Sequence, residues 1–176
     1  CWNCRRSSRA SGAWGSIPAM WTGSGTVVQY VTDDRLDICF EFDLSYATLG
    51  AVGGGDAGYL AGKAAQVYGL YPYLQFATFL TNHDQNRVLS QLSGDVAGAR
   101  LAATALLTLP GVPFVYYGEE GGLEGTKPDE LIRTPMPWDG ESPSVGFTEG
   151  TPWQPADPGY PDANVASQFD DPDSLL

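Results

Sequence analysis

Basic residues are scarce in this 176-residue chain, and so are long apolar runs. Nine Lys and Arg stand against 21 Asp and Glu, which gives a net charge of −12. Such a surface repels phosphate backbones and anionic lipids, so we expect no nucleic-acid partner and no membrane partner. No apolar run reaches the roughly 18 residues that a membrane helix needs. A neutral polymer is indifferent to this charge.

Histidine and cysteine are scarce as well, which limits metal and redox chemistry. His83 is the only histidine, and the three cysteines are Cys1, Cys4 and Cys39. Cys1 and Cys4 have the spacing of a metal knuckle, but no second pair follows. We therefore predict incidental thiols, with no metal site and no evident cofactor. A metal-dependent phosphohydrolase, for which His83 and Asp84 could be a signature, would need several more histidines.

The first 19 residues differ in composition from the rest of the chain. They contain Arg5, Arg6 and Arg9, no acidic residue appears before Asp33, and no helical or strand periodicity is visible. We predict an atypical N-terminal segment over residues 1–19, such as a scar or an out-of-frame end; a basic arm is the alternative. The remaining residues, 20–176, form one predicted domain that begins at Met20.

Apolar periodicity in residues 20–176 alternates between strand and helix, which predicts an α/β fold. A short helix is expected over Val27–Val31, and Gly53–Gly55 are expected to form a flexible connection. Asp56 or a neighbour should cap a helix to about Leu70 whose tyrosines pack inward. The predicted strands and the remaining helix are, in order, strand Leu36–Phe42, strand Phe76–Leu80, a helix from Ser93 or Asp95 to about Leu109, and strand Val112–Tyr117.

One stretch, Phe76–Arg87 (FATFLTNHDQNR), changes abruptly from apolar to polar. Its first part has the length of a buried strand, and six polar or charged side chains follow from Asn82 to Arg87. In parallel α/β proteins, the side chains just past the carboxyl end of a strand line the ligand crevice. We therefore place the candidate site there. A satisfied hydrogen-bond cluster at a strand end fits the local sequence equally well.

The Asn82-His83-Asp84 motif after an apolar strand resembles the α-amylase family of glycoside hydrolases (family 13). The resemblance continues in family order through the blocks FEFDLS (40–45), GVPFVYYGEE (111–120), KPDELIRTPMPW (127–138) and NVASQFDDPDSLL (164–176). It implies a (β/α)8 barrel, which typically takes about 250 residues. This chain would then be a partial barrel, roughly strands 5 or 6 to 8 with the intervening helices and a long proline-rich loop.

The resemblance also implies roles for individual residues. Asp84 would be the carboxylate that binds the sugar hydroxyls of the transition state, and His83 would donate hydrogen bonds to the same sugar. Asn82 and Arg87 would be substrate-binding, with Arg87 supplying a cation that keeps a nearby carboxylate ionised. The substrate class would be an α-glucan or maltooligosaccharide.

Two of the family's catalytic groups have no counterpart in this sequence. The Gly-x-Arg-x-Asp-Ala block that carries the nucleophile does not occur, and Ala19 stands where the general acid/base glutamate would be. We predict that the chain alone has little or no activity. The family's calcium ligands, where present, would lie largely in a segment that this chain does not contain. An incomplete barrel would also leave a strand edge open, so we expect self-association, a compact rearrangement or poor solubility.

The segment beyond Gly121 is rich in proline, with eight of the thirteen prolines between Pro128 and Pro161. A long loop after a barrel strand is where this architecture places substrate-binding parts. Trp138 and Trp153 could stack on sugar rings, or they could pin the loop to the barrel. Glu119 is a further candidate for the substrate loop. A non-catalytic carbohydrate-binding or interaction module derived from the barrel remains the alternative function.

Overall fold

The computed structural model of this chain describes residues 23–32, 35–141 and 144–176. The fold divides into two compact units. Among the described residues, those up to Phe79 together with Ala105–Phe114 form the first unit, and those of Leu80–Thr104 together with Val115–Leu176 form the second unit. Residues 1–19, including Ala19, lie outside the described residues.

A three-stranded parallel sheet, in the order β1-β2-β3, organises the first unit. Its strands are β1 (Cys39–Phe40), β2 (Phe76–Phe79) and β3 (Val112–Phe114). Parallel neighbours require long crossover connections, and helices supply them here. The central strand β2 is buried at all four positions, which confirms the apolar run as a buried strand, whereas the residues of β3 are exposed. The third strand is shorter than the predicted Val112–Tyr117.

The predicted strand Leu36–Phe42 is wrong over most of its length. Only Cys39 and Phe40 pair in the sheet, and helix α2 begins at Phe42 and runs to Gly54. The side chain of Glu41 caps α2 by accepting the Asp43 N–H at 3.0 Å. The capping hydrogen bond favours a helix that starts at Phe42, although the period-two apolar pattern typical of a strand continues to that residue.

The three glycines at 53–55 do not form the predicted flexible connection. Gly53 and Gly54 are the last residues of α2, and Gly55 adopts a left-handed conformation (φ 69°) that ends the helix. Glycine takes this conformation without steric cost. Helix α3 (Ala57–Leu70) then starts at once.

The prediction for α3 is confirmed at both ends and on its inner face. Asp56 caps it by accepting the Tyr59 N–H at 3.0 Å. The rings of Tyr68 and Tyr71 lie 5.8 and 5.3 Å from the ring of Phe76 in β2. The tyrosines therefore pack against the sheet, as the helical spacing predicted.

A pair of acidic side chains meets one hydroxyl in the first unit. Ser24 Oγ lies 2.8 Å from Glu41 Oε1 and 2.7 Å from Asp43 Oδ2. Glu41 is buried, and its burial raises the pKa of that carboxyl above the ordinary range. Lys63 Nζ lies 4.0 Å from Asp43. Ser24 opens the short helix α1 (Ser24–Val27), which a 3-10 turn (Val28–Tyr30) extends, close to the predicted helix over Val27–Val31.

The remaining helices are α4 (Val88–Gln91), α5 (Val96–Thr108), α6 (Asp129–Ile132) and α7 (Val165–Gln168). Asp95 caps α5 by accepting the Gly98 N–H at 3.0 Å, which confirms one of the two predicted caps. Much of the chain beyond Gly121 is irregular, as the prolines predicted, and α6 and α7 are single turns. Within the described ranges, no helix is long and apolar enough to cross a membrane.

Candidate functional site

Residues 82–86, here called the polar corner, form a tight turn in the second unit, a few residues after β2 ends. The side-chain oxygen of Asn82 accepts the Asp84 N–H at 2.8 Å, and the Asn82 carbonyl accepts the Gln85 N–H at 3.1 Å. Asn82 thus uses its amide to shape the turn, a common role for this residue type. A direct contact of Asn82 with substrate stays a prediction.

The Asp84 carboxylate contacts Arg133 through one oxygen, and its other oxygen lies near His83. Arg133 Nη2 donates to Asp84 Oδ1 at 2.8 Å, and His83 Nε2 lies 3.4 Å from Asp84 Oδ2. The Asp84 side chain is 26% exposed and that of His83 is 50% exposed. Asp84 and His83 therefore lie together and reach solvent. Burial of these two side chains in the hydrophobic interior would have excluded a ligand site at this position.

Arg133 is the residue of this site that sequence reasoning missed. Besides Asp84, its guanidinium donates to the His83 carbonyl at 2.8 Å and to Asp129 Oδ2 at 2.6 Å. Lys127 also pairs with Asp129, and the hydrogen bond from Lys127 lowers the pKa of Asp129. The block KPDELIRTPMPW, which contains Arg133, was the signal available in the sequence. The block does not show that Arg133 contacts Asp84, which lies 49 positions earlier in the chain.

Arg87 is fully buried and packs against two adjacent aromatic rings. Its guanidinium carbon lies 4.1 Å from the ring centre of Tyr116 and 4.6 Å from that of Tyr117, and Nη1 donates to the Tyr117 carbonyl. The carboxylate whose pKa Arg87 affects is that of Glu119: burial raises this pKa, and the charge of Arg87 acts against the rise. Asp84 is instead paired with Arg133. These contacts are those of a residue that supports the corner, and direct substrate binding by Arg87 stays a prediction.

Glu119 is largely buried at the turn that follows β3. Thr81 Oγ1 donates to Glu119 Oε1, and the Tyr116 N–H lies 3.4 Å from Oε2. Burial raises the pKa of Glu119 to about 7, although the hydrogen bonds from Thr81 and Tyr116 and the charge of Arg87 act in the opposite direction. Thr81 directly precedes the polar corner, so this hydrogen bond joins Glu119 to the start of the corner.

The two tryptophans of the proline-rich segment are exposed. Trp138 is 51% exposed and Trp153 is 63% exposed. Of the two alternatives, exposure favours stacking on a ligand over pinning the loop, because a pinning indole would bury most of its surface.

The site offers a carboxylate that accepts a hydrogen bond from a guanidinium at 2.8 Å and lies 3.4 Å from an imidazole nitrogen. Such a set can accept hydroxyl hydrogens and can stabilise a neighbouring positive charge. Within the described ranges, no group of three or more His, Cys, Asp or Glu is arranged to hold a metal ion. Cys39 is buried and unpaired, and Cys1 and Cys4 lie outside those ranges.

Comparisons with known proteins agree with the resemblance in the sequence. The family model for the alpha amylase catalytic domain matches residues 20–176. Alpha-amylase 3 of Dictyoglomus thermophilum is 56% identical over 62 residues, which are 35% of this chain and 12% of that protein. The oligo-1,6-glucosidase of Parageobacillus thermoglucosidasius is 33% identical over 139 residues, covering 56% of this chain and 25% of that protein.

The solved structures give the fold. The structure of the alpha-amylase from H. orenii aligns with a TM-score of 0.79 at 40% identity, covering 89% of this chain and 32% of that chain. Such neighbours are (β/α)8 barrel enzymes, and the three-stranded parallel sheet is consistent with part of a barrel. The chain spans a quarter or less of the length of these two curated relatives. It belongs to the alpha-amylase family of glycoside hydrolases, whose catalytic domain it matches from residue 20 to residue 176.

Proposed function

We propose that this chain is the C-terminal half of the catalytic domain of a retaining α-glucan hydrolase of the α-amylase or α-glucosidase type. The whole enzyme would cleave α-1,4 or α-1,6 glucosidic bonds, and the chain would contribute roughly barrel strands 5 or 6 to 8. One observation carries the proposal: the Asp84 carboxylate is fixed by Arg133 on one oxygen and lies beside the half-exposed His83 on the other.

The chemistry of glycoside hydrolysis explains why such a carboxylate is useful. The transition state resembles an oxocarbenium ion and carries positive charge on the sugar. Asp84 would accept hydrogen bonds from sugar hydroxyls, and His83 would donate to the same ring. These contacts accelerate the reaction only where they strengthen in the transition state. Arg133 holds the carboxylate and the His83 carbonyl on one guanidinium, which fixes the direction of both.

Retaining hydrolysis needs two further carboxyl groups, a nucleophile and an acid/base, about 5–5.5 Å apart. The sequence contains no nucleophile block, and Ala19 occupies the acid/base position of the resemblance. The chain by itself is therefore proposed to be inactive. Any calcium in the whole enzyme would be bound largely by residues outside this chain.

The first test is hydrolysis of starch by the isolated chain. We expect no release of reducing sugar above the buffer background, because two of the three carboxylates are missing. Release of reducing sugar by the chain, abolished in Asp84→Asn, would contradict the proposal that the chain carries only part of the catalytic site. A parallel reaction with an active amylase controls for substrate quality.

A second candidate function is a non-catalytic carbohydrate-binding module. The exposure of Trp138 and Trp153 favours it, since an indole face can cover the apolar face of a pyranose. Under this hypothesis, calorimetry should detect maltotriose binding to the chain, and Asp84→Ala should weaken it at least tenfold. Asp170→Ala, which removes an exposed aspartate outside the polar corner, serves as the matched control. Unchanged affinity in Asp84→Ala would exclude Asp84 from the binding site.

A further inference from the structure

The polar corner is attached at both ends to one turn, residues 116–119. At its start, the hydroxyl of Thr81 donates to Glu119. At its end, Arg87 donates to the Tyr117 carbonyl and stacks on Tyr116. Thr81 and Arg87 are both essentially inaccessible to solvent, at 1% and 0% exposure. Buried contacts of this kind fix a backbone more firmly than exposed ones, because water cannot replace them.

Both carboxylate oxygens of Glu119 accept a hydrogen bond. Oε1 receives the Thr81 hydroxyl, and Oε2 receives the backbone N–H of Tyr116. The carboxylate therefore bridges the residue before the polar corner and the turn that follows β3. The Thr81–Glu119 contact joins residues 38 positions apart.

We propose that Glu119 is a positioning residue for Asp84: its carboxylate, acting through the Thr81 hydroxyl, fixes the start of the polar corner. Asn82 then transmits this placement, because its side chain accepts the N–H of Asp84 within the same turn. The proposal rests on the proposed function for the role of Asp84, whereas its main test uses no sugar. Failure of one can therefore be distinguished from failure of the other.

The charge of Glu119 provides a way to observe this coupling. Burial raises its pKa to about 7, while Thr81, Tyr116 and the cation of Arg87 lower it and the neighbouring Glu120 raises it. The ionised carboxylate accepts from the Thr81 hydroxyl, whereas the protonated form can itself become a donor. The hydrogen bond at Thr81 must therefore rearrange near neutral pH, and the backbone amides after Thr81 should report it.

The same pKa determines how the contribution of Glu119 to folding stability changes with pH. The folded-state value of about 7 lies above the ordinary value of 4.5. The contribution of Glu119 to stability is therefore complete below about pH 4.5 and is lost as the pH rises through about 7. Glu119→Gln should remove this part of the pH dependence of stability.

The experiment follows the backbone amide signals of Thr81–Asp84 and Tyr116 by NMR from pH 5 to pH 9. A His83→Gln background leaves the chain without an imidazole. We expect one transition with a midpoint near pH 7 in all of these amides. It should vanish after Glu119→Gln. After Glu120→Gln it should persist with a midpoint shifted to lower pH, because a repelling negative charge is removed.

Thr81→Val tests the path, since it deletes the hydroxyl at nearly constant shape. We expect the Tyr116 amide to keep its transition and the amides of Asn82–Asp84 to lose theirs. Corner amides that show no transition in the parent, or that keep it in Thr81→Val, would overturn the proposal. If Thr81→Val does not fold, the contrast between Glu119→Gln and Glu120→Gln decides.

Discussion

Replacing Gly125 with alanine is expected to destabilise the second unit by about 3 kcal/mol or more. A methyl group at this position would lie 2.3 Å from the Leu131 carbonyl oxygen and 3.2 Å from the Ile132 Cα. Both are backbone atoms, so no side-chain rotation relieves the collision. Moving Gly125 instead would break two hydrogen bonds, because its N–H donates to Ser90 Oγ at 2.8 Å and its carbonyl accepts the Arg87 N–H at 2.9 Å.

Urea denaturation of Gly125→Ala and of the parent chain would measure this effect. Gly62→Ala is the matched control, because the same methyl group on α3 meets no atom within 4 Å. In a helix interior, alanine is favoured over glycine by roughly 0.5–1 kcal/mol, so the control should be slightly stabilised. Similar unfolding midpoints for the two variants would contradict the steric argument.

Phe79→Ala is expected to cost about 3–5 kcal/mol, the usual range for a buried phenylalanine. Phe79 ends the central strand β2 and is 3% exposed. Its ring makes edge-on contacts with Phe40 and Phe42, with ring centres 5.5 and 4.9 Å apart. The substitution leaves a cavity and removes both aromatic contacts. Against a typical total stability of about 5–15 kcal/mol, the loss is large enough to unfold part of the population.

Thermal unfolding followed by circular dichroism checks this prediction. Tyr73→Ala provides the control, since this aromatic side chain is 87% exposed and its loss should change stability by less than about 0.5 kcal/mol. A Phe79→Ala variant that unfolds at the same temperature as Tyr73→Ala would show that the ring cluster is not part of the core.

The elements that sequence reasoning found have strong local signals. Helix α3 has a capping aspartate before it and an apolar face at helical spacing, and both are visible in the sequence. Helix α2 was missed because the residues before it alternate like a strand. Its start is decided by Glu41, whose carboxylate turns to the Asp43 N–H and is held by Ser24, 17 positions away. A pattern within seven residues contains no trace of that contact.

The same distinction applies to the site. The motif Asn82-His83-Asp84 is contiguous, so its clustering was predictable once the strand was recognised. The partner of Asp84 is Arg133, 49 positions away. The burial of Arg87 was also unforeseen, because a cation followed by an apolar helix is usually expected in solvent. Here the rings of Tyr116 and Tyr117 cover it, and the cation–π contact offsets part of the cost of its desolvation.

The hydroxyl of Ser24 has one hydrogen but touches two acids, Glu41 and Asp43. At any instant one of these contacts brings two electron-rich oxygens together without a hydrogen between them. Acidification supplies the missing hydrogen by protonating Glu41. Because burial raises the pKa of Glu41, this protonation occurs at a higher pH than in the unfolded chain. The junction between α1 and α2 therefore becomes firmer as the pH falls through the raised pKa of Glu41.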